Sequence, residues 1–151
     1  MLKKIIIVIV LVLVLIQFIP LEKTNPKVDE AIALNTDEKI MKILKKSCYD
    51  CHSNETKWSI YSDIAPLSFK IHSNVKIGRK ALNFSNWKSI KVDIKTARLK
   101  RAIKTVNNKM MPLSAYLSLH EEAKISQDER KILVKWFEKE LLLIAPDEVY
   151  F

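Results

Sequence analysis

The chain has 151 residues and a single glycine, Gly78. This scarcity of glycine limits the folds that the chain can adopt. Glycine adopts positive φ angles most readily, and tight two-residue β-hairpins need such angles. Aromatic residues, which favour strands, make up only 8% of the sequence. Tight hairpins are therefore scarce, and the sequence predicts an all-α fold rather than a β protein with many turns.

Apolar residues recur at helical spacing in several segments beyond residue 35. Thr36 is predicted to cap a first helix that ends near Lys46. Ser126 and Glu129 form a capping box before a longer helix that Pro146 stops. Weaker helical patterns cover residues 64–76 and 94–107. Residues 36–151 are thus predicted to form one small all-α domain of four to five helices.

Cys48, Cys51 and His52 form a C-x-x-C-H motif, which is typical of a c-type haem attachment site. The two thiols can add across the vinyl groups on one edge of the macrocycle. His52 then lies beneath the iron as its proximal nitrogen ligand. The sequence therefore predicts one covalently bound haem c, with His52 as an iron ligand.

Three other interpretations of the two cysteines stay open at this stage. A structural zinc site needs four ligands at recognisable spacing, and only His72 and His120 remain as candidates. A redox dithiol needs a βαβ context, for which no convincing strands are found. A disulfide across so short a loop is possible in an exported protein.

The second axial ligand of the iron is predicted in the segment Met110, Met111 and Pro112. Met sulfur is a soft ligand, and a proline favours an extended backbone at the residue before it, which suits a loop that crosses a haem face. Met111 is favoured over Met110 because it precedes the proline. His72, His120 and an open iron position are the alternatives.

The N-terminal residues 1–21 carry Lys3 and Lys4 before an apolar run that Gln17 interrupts. This pattern predicts an uncleaved transmembrane signal anchor, with a cleavable signal peptide as the alternative. The positive-inside tendency leaves the N-terminus cytoplasmic and the rest exported, on the periplasmic face of a bacterial cytoplasmic membrane. Residues 22–35, polar and broken by Pro26, are predicted to be a linker.

The formal net charge is +9, and the basic residues are spread along the chain. Nucleic-acid binding is not expected, because aromatic residues are not interleaved with the basic ones as stacking platforms. Attraction to an acidic redox partner protein, or to anionic lipid headgroups, is the preferred interpretation.

The chain resembles the bacterial haem-binding domain family, small exported C-x-x-C-H proteins related to class I c-type cytochromes. The resemblance rests on Cys48, Cys51, His52, Ser53, Asn54, Thr56, Trp58, Tyr61, Ser62, Ile64, Ala65 and Pro66; on Gly78, Arg79, Leu82, Asn83, Phe84, Ser85 and Trp87; and on Met111, Pro112, Tyr116, His120, Ala123, Ser126, Glu129 and Trp136. Ser59-Ile60 and Leu113 stand where the family often has proline. The resemblance implies a cytochrome c-like fold with haem c and no defined reaction.

Further roles follow within that resemblance. Arg79, Asn83 and Trp87 are expected either to donate to the haem propionates or to be surface and core-edge residues. Trp58 and Tyr61 are expected near the haem edge or in the core, and Tyr116 in the distal pocket. A carbonyl of the segment Ile64, Ala65 and Pro66 is expected to accept the ring N–H of His52.

Three functions compete at this stage. The first is a membrane-tethered monohaem electron carrier with His52 and Met111 as iron ligands, which is not an enzyme. The second is a peroxidase-like haem protein, and the third is a gas- or ligand-sensing module. Both alternatives need an open or displaceable sixth iron position. The first is preferred because of the Met-Pro segment.

Overall fold

The computed structural model describes residues 1–148, and the regular structure of this part of the chain is entirely helical. This confirms the predicted all-α class. The α-helices are α1 (Leu2–Leu15), α2 (Glu38–Ser47), α3 (Tyr49–His52), α4 (Leu67–Ala81), α5 (Val92–Asn107), α6 (Ser114–Leu117) and α7 (Gln127–Ile144). Short 3-10 helices cover Ile16–Phe18, Ile60–Asp63, Phe84–Ser89, Glu121–Ala123 and Pro146–Glu148.

The start of α7 confirms the predicted capping box. The Ser126 hydroxyl accepts the Glu129 backbone N–H at 3.1 Å, and the Glu129 carboxylate accepts the Ser126 backbone N–H at 2.8 Å. The N-cap of α2 is Asp37 rather than Thr36, since the Asp37 carboxylate accepts the Ile40 N–H at 3.0 Å. A carboxylate there also interacts favourably with the helix dipole.

The core lies between α2, α5 and α7, and α5 and α7 pack along each other. Leu44, Leu99 and Leu133 have no exposed surface, and Leu141 is 1% exposed. Burying each of these side chains stabilises the fold by roughly 1.5–3 kcal/mol. These leucines therefore fix α5 on α7 and hold α2 across them.

A row of aromatic rings connects the C-x-x-C-H segment to this core. Tyr49, inside the motif, stacks on Phe84 with ring centroids 5.4 Å apart. Phe84 stacks on Trp87 at 5.9 Å, and Trp87 stacks on Trp136 of α7 at 5.6 Å. The row ties α3 to α7 through the 3-10 helix Phe84–Ser89.

Gly78, the one glycine of the chain, lies where α4 meets α3. A Cβ atom at Gly78 would lie 2.3 Å from the Cys51 carbonyl oxygen, well inside van der Waals contact. The glycine is needed for this close approach, and not for a positive φ angle. It allows the main chain of the cysteine segment to rest directly on α4.

The transmembrane helix predicted within residues 1–21 is not supported. Among residues 1–148, no helix is both long enough and apolar enough to cross a membrane. α1 has 14 residues, which make it about 21 Å long against a hydrocarbon layer of about 30 Å. A short 3-10 turn, Ile16–Phe18, follows it.

Residues 22–35, the predicted linker, lie along the surface of the domain. Just before them, the Gln17 side chain donates to the Ala65 carbonyl and accepts from the Ala65 N–H, each at 3.0 Å. At their far end the Leu34 N–H donates to the Phe84 carbonyl at 2.8 Å, and Leu34 is buried. The segment is thus bonded to the domain at both ends.

We predict that Gly78→Ala destabilises the domain by about 1–3 kcal/mol, because the new methyl group overlaps the Cys51 carbonyl. Without that overlap Gly78→Ala would stabilise the domain, since Ala is favoured over Gly inside a helix by about 0.5–1 kcal/mol. Thermal unfolding followed by circular dichroism measures the difference. Lys76→Ala, at an exposed position of the same helix, is the matched control. A Gly78→Ala variant as stable as the parent would contradict the close contact.

Candidate functional site

A cavity of about 400 Å³ lies beside the C-x-x-C-H segment. Cys48, Cys51 and His52 line it, and so do Met110 and Met111 from the loop after α5. Further lining comes from α4, α5 and α7, and most of it is apolar. The volume falls in the range of roughly 300–1,000 Å³ that is typical of ligand and cofactor pockets. The structure thus brings the predicted attachment residues and both candidate methionines to one cavity.

The two cysteines are free, half-buried thiols. Burial raises the pKa of Cys48 to about 12, with a smaller contribution from Cys51. Burial also raises the pKa of Cys51 to about 11, with a further contribution from Asp50. Redox-active dithiols have lowered pKa values, so this environment argues against a dithiol. Within residues 1–148, no group of three or more His, Cys, Asp or Glu side chains is placed so as to hold a metal ion.

His52 is held in one orientation by its backbone surroundings. Its Nδ1 lies 2.9 Å from the Leu82 carbonyl oxygen, just beyond the end of α4. With Nδ1 donating to that carbonyl, Nε2 carries the free lone pair. Burial lowers the pKa of His52, which favours the neutral, ligating form.

The acceptor for His52 differs from the expected one. A carbonyl in the segment Ile64, Ala65 and Pro66 was the expectation, but the Ala65 carbonyl accepts from Gln17 instead. The acceptor is the Leu82 carbonyl, because the Gly78 contact draws α4 against the cysteine segment.

The methionine loop begins with a Schellman turn at the end of α5. The Lys109 N–H donates to the Val106 carbonyl at 3.1 Å, and the Met110 N–H donates to the Thr105 carbonyl at 2.9 Å. Lys109 has a φ of 58°, in the left-handed region that glycine usually occupies in this turn. The Met111 N–H also donates to Thr105, at 3.1 Å. The helix end therefore fixes the direction in which the loop leaves.

Arg130 of α7 secures the same loop from the core side. Its guanidinium Nη1 donates to the Met111 carbonyl at 3.2 Å and also to the Val106 carbonyl. Met111 is half-buried and packs against the core cluster, whereas Met110 is 59% exposed. Of the two methionines, Met111 is the better-positioned candidate ligand.

The two histidines that were alternative ligands do not line the large cavity. His72 stacks on Trp58 at 4.8 Å, and its Nε2 lies 3.3 Å from the Ser62 carbonyl oxygen. His120 stacks on Tyr116 at 4.3 Å, its Nε2 contacts the Tyr61 hydroxyl, and its Nδ1 bonds to Glu122. Neither histidine therefore shares the cavity with His52 and the two methionines.

Arg79, Asn83 and Trp87, the expected propionate donors, are also absent from the cavity lining, and each is engaged elsewhere. The Arg79 guanidinium donates to four acceptors in two chain segments: the Ser53 and Thr24 carbonyls, the Asn25 amide oxygen and the Thr56 hydroxyl. The Asn83 amide is buried and donates to Asn54, while its oxygen caps the next 3-10 helix. Trp87 is part of the buried aromatic row. These roles are structural.

Trp58 and Tyr61 line a second, smaller cavity of about 80 Å³. Tyr116 and Asp50 lie between the two cavities and line both. The Tyr116 hydroxyl donates to the Asp50 carboxylate at 2.7 Å, and burial raises the pKa of Tyr116. Tyr116, which was expected in the distal pocket, thus lines the large cavity.

Several lining residues were not predicted from the sequence. Ser47 precedes Cys48, and its buried hydroxyl oxygen has no hydrogen-bond partner. Arg98 and Arg101 line the cavity from α5. Their i, i+3 spacing was the available signal, but the sequence assigned the basic residues only a general attraction to an acidic partner or anionic lipid.

Comparison with known protein families agrees with this site. A family model described as a haem-binding domain matches residues 11–139. No curated protein and no solved structure matches the chain significantly.

We predict that Lys109→Gly stabilises the protein by about 1 kcal/mol, because it removes the cost of a left-handed side-chain-bearing residue. Lys104→Gly, inside the same helix, is the matched control and is expected to destabilise by up to about 1 kcal/mol. Chemical denaturation of both variants measures the two effects. Destabilisation by Lys109→Gly as well would show that the loop does not leave α5 through this turn.

Proposed function

The chain belongs to the haem-binding domain family, and we propose that it is a monohaem electron-transfer protein with covalently attached haem c. One observation carries the proposal: two free thiols, an oriented histidine and a methionine line the same cavity. Together these groups are the set that attaches and ligates a six-coordinate c-type haem with His/Met ligation.

The residues present fit a haem. The cavity is mostly apolar and large enough for a cofactor. The His52 bond to the Leu82 carbonyl uses Nδ1, which leaves Nε2 as the nitrogen that would ligate the iron. The Ser47 hydroxyl in the lining is buried and has no hydrogen-bond partner. Buried polar atoms are normally hydrogen-bonded, so an unpaired one in a cavity wall is expected where a ligand binds.

Cys48 and Cys51 are proposed to hold the haem covalently. Each sulfur would form a C–S bond to one vinyl carbon, and the thiol proton would pass to the other vinyl carbon. The addition needs no oxidant, so it suits thiols that are free and protonated. Since both cysteines line the cavity, the two thioethers would lie in its wall.

His52 and Met111 are proposed as the two axial ligands. When bound, the haem iron supplies a one-electron redox couple. His52 contributes a neutral imidazole whose tautomer is set by the Leu82 carbonyl. Met111 contributes a soft sulfur that raises the reduction potential relative to bis-His ligation. Hydrogen bonds to Thr105 and Arg130 hold the backbone of Met111, so the position of its Cα atom is fixed.

An electron carrier fits the site better than a peroxidase-like enzyme or a ligand sensor. A peroxidase needs an acid–base group beside an open iron position. His72 and His120 lie outside the cavity lining and are engaged with Ser62, Tyr61 and Glu122. The proposed role is therefore not enzymatic.

An acidic redox partner is proposed from the charge of the chain, which is +9. α5 carries much of it, and its exposed cations stand on the helix that forms one wall of the cavity. Opposite charge on a partner would steer encounter toward this wall. A decrease of the electron-transfer rate with increasing ionic strength would support this partner chemistry, and a salt-independent rate would oppose it.

Attachment to the exported face of a bacterial membrane is proposed from α1. None of its side chains is buried, and its apolar residues from Ile5 to Leu15 are 45–65% exposed. Exposed apolar surface of this extent favours transfer into lipid. Membrane fractionation of the full chain, compared with an Ile9→Lys variant, tests the attachment.

Met111→Ala is expected to remove the Met–iron(III) charge-transfer band in the near-infrared spectrum, because the iron loses its sulfur ligand. The chain should be expressed together with haem-attachment machinery and examined in both oxidation states. Met110→Ala, one residue earlier in the same loop, should retain the band. A parent protein with a high-spin spectrum and no such band would overturn His/Met ligation.

Covalent attachment has its own readout. Haem bound through Cys48 and Cys51 should stay with the protein in acidified organic solvent, whereas a Cys48→Ser, Cys51→Ser double variant should release it. Extraction of haem from the parent chain would contradict the attachment without bearing on the iron ligands.

A further inference from the structure

Arg98 and Arg101 differ from the other two arginines of the chain. Arg79 and Arg130 donate to backbone or side-chain acceptors that hold segments of the fold together. Among residues 1–148, the guanidinium groups of Arg98 and Arg101 have neither a hydrogen bond nor an ion pair. Both nevertheless line the 400 Å³ cavity.

The charge balance of the cavity makes these two cations unusual. Asp50 is the acidic residue of the lining, and its carboxylate already accepts the Tyr116 hydroxyl and the Lys57 N–H. Arg98 and Arg101 are the lining cations of fixed charge. The described cavity therefore presents two guanidinium groups without an anionic partner.

α5 sets both guanidinium groups on one face. Positions 98, 101, 102 and 105 all line the cavity, at the i, i+3, i+4 and i+7 spacing of a single helix face. Leu99 and Val106 are buried in the core and fix the rotation of the helix. The two arginines are thus held toward the cavity by the packing of α5 on α7.

We propose that Arg98 and Arg101 bind the two propionate carboxylates of the haem, an inference that rests on the function proposed above. A guanidinium group matches a carboxylate with two parallel hydrogen bonds. The propionates stand on the edge of the macrocycle opposite the vinyl groups. The cysteine helix α3 packs on α4, and α5 packs on α7. The cysteines that would hold the vinyl edge and the arginines proposed for the propionate edge therefore belong to different helix pairs.

This assignment replaces the propionate donors expected from the sequence. Four of the five N–H donors of the Arg79 guanidinium are already bonded to acceptors in other chain segments. Asn83 and Trp87 are buried away from the cavity. Arg98 and Arg101 supply two positive charges for two carboxylates.

The test compares Arg98→Gln, Arg101→Gln and the double variant with Lys104→Gln, which removes an exposed charge of the same helix outside the cavity lining. The readouts are the reduction potential between pH 4 and 9 and the amount of covalently bound haem. Loss of a guanidinium leaves a propionate charge uncompensated, which favours iron(III). The double variant should therefore show a lower potential, and the propionate pKa values that govern its pH dependence should rise.

The Lys104→Gln control should keep the parent potential and pH profile. An Arg98→Lys, Arg101→Lys variant keeps the charge and should recover part of the potential. A double Gln variant that carries covalent haem with the parent potential and pH profile would overturn the proposal, and would assign the two arginines to a partner protein instead. Absence of covalent haem from the parent chain would instead overturn the proposed function on which it rests.

Discussion

The contact of Gly78 with the main chain of Cys51 is the constraint on which the site depends. With no side chain at this position, α4 lies directly against the cysteine segment. Neighbouring residues of the same helix end then hold neighbouring residues of the motif: the Arg79 guanidinium bonds the Ser53 carbonyl, and the Leu82 carbonyl bonds the motif histidine. A larger side chain at Gly78 would move all of these partners at once.

The cavity follows from the way in which the helices pair. α3 packs on α4, and α5 packs on α7. Small side chains face the space between these pairs, among them Gly78, Ala81 and Ala102. Larger apolar residues there would have closed the gap and buried more surface. The sequence thus keeps an apolar space open beside the residues that can bind a cofactor.

Much of the fold and the centre of the site were predictable from the sequence. The C-x-x-C-H spacing and the capping box of α7 are local signals, and both act over a few residues. The acceptor for His52 was not predictable, because it depends on how α4 approaches α3 in space. Arg98 and Arg101 were missed for the same reason, because the sequence does not show which basic residues of α5 line a cavity. That depends on the packing of α5 on α7.

Arg79 connects the N-terminal segment to the cysteine motif, and this changes what that segment does. Its guanidinium bonds the Thr24 carbonyl and the Asn25 side chain, and also the Ser53 carbonyl beside the motif histidine. Gln17 bonds the main chain of the domain just before this segment. A polar stretch with a proline was expected to be a linker, and because it is bonded to the domain at several points it cannot move independently of the domain. The orientation of the C-x-x-C-H site relative to the apolar α1 is therefore set by hydrogen bonds within the chain.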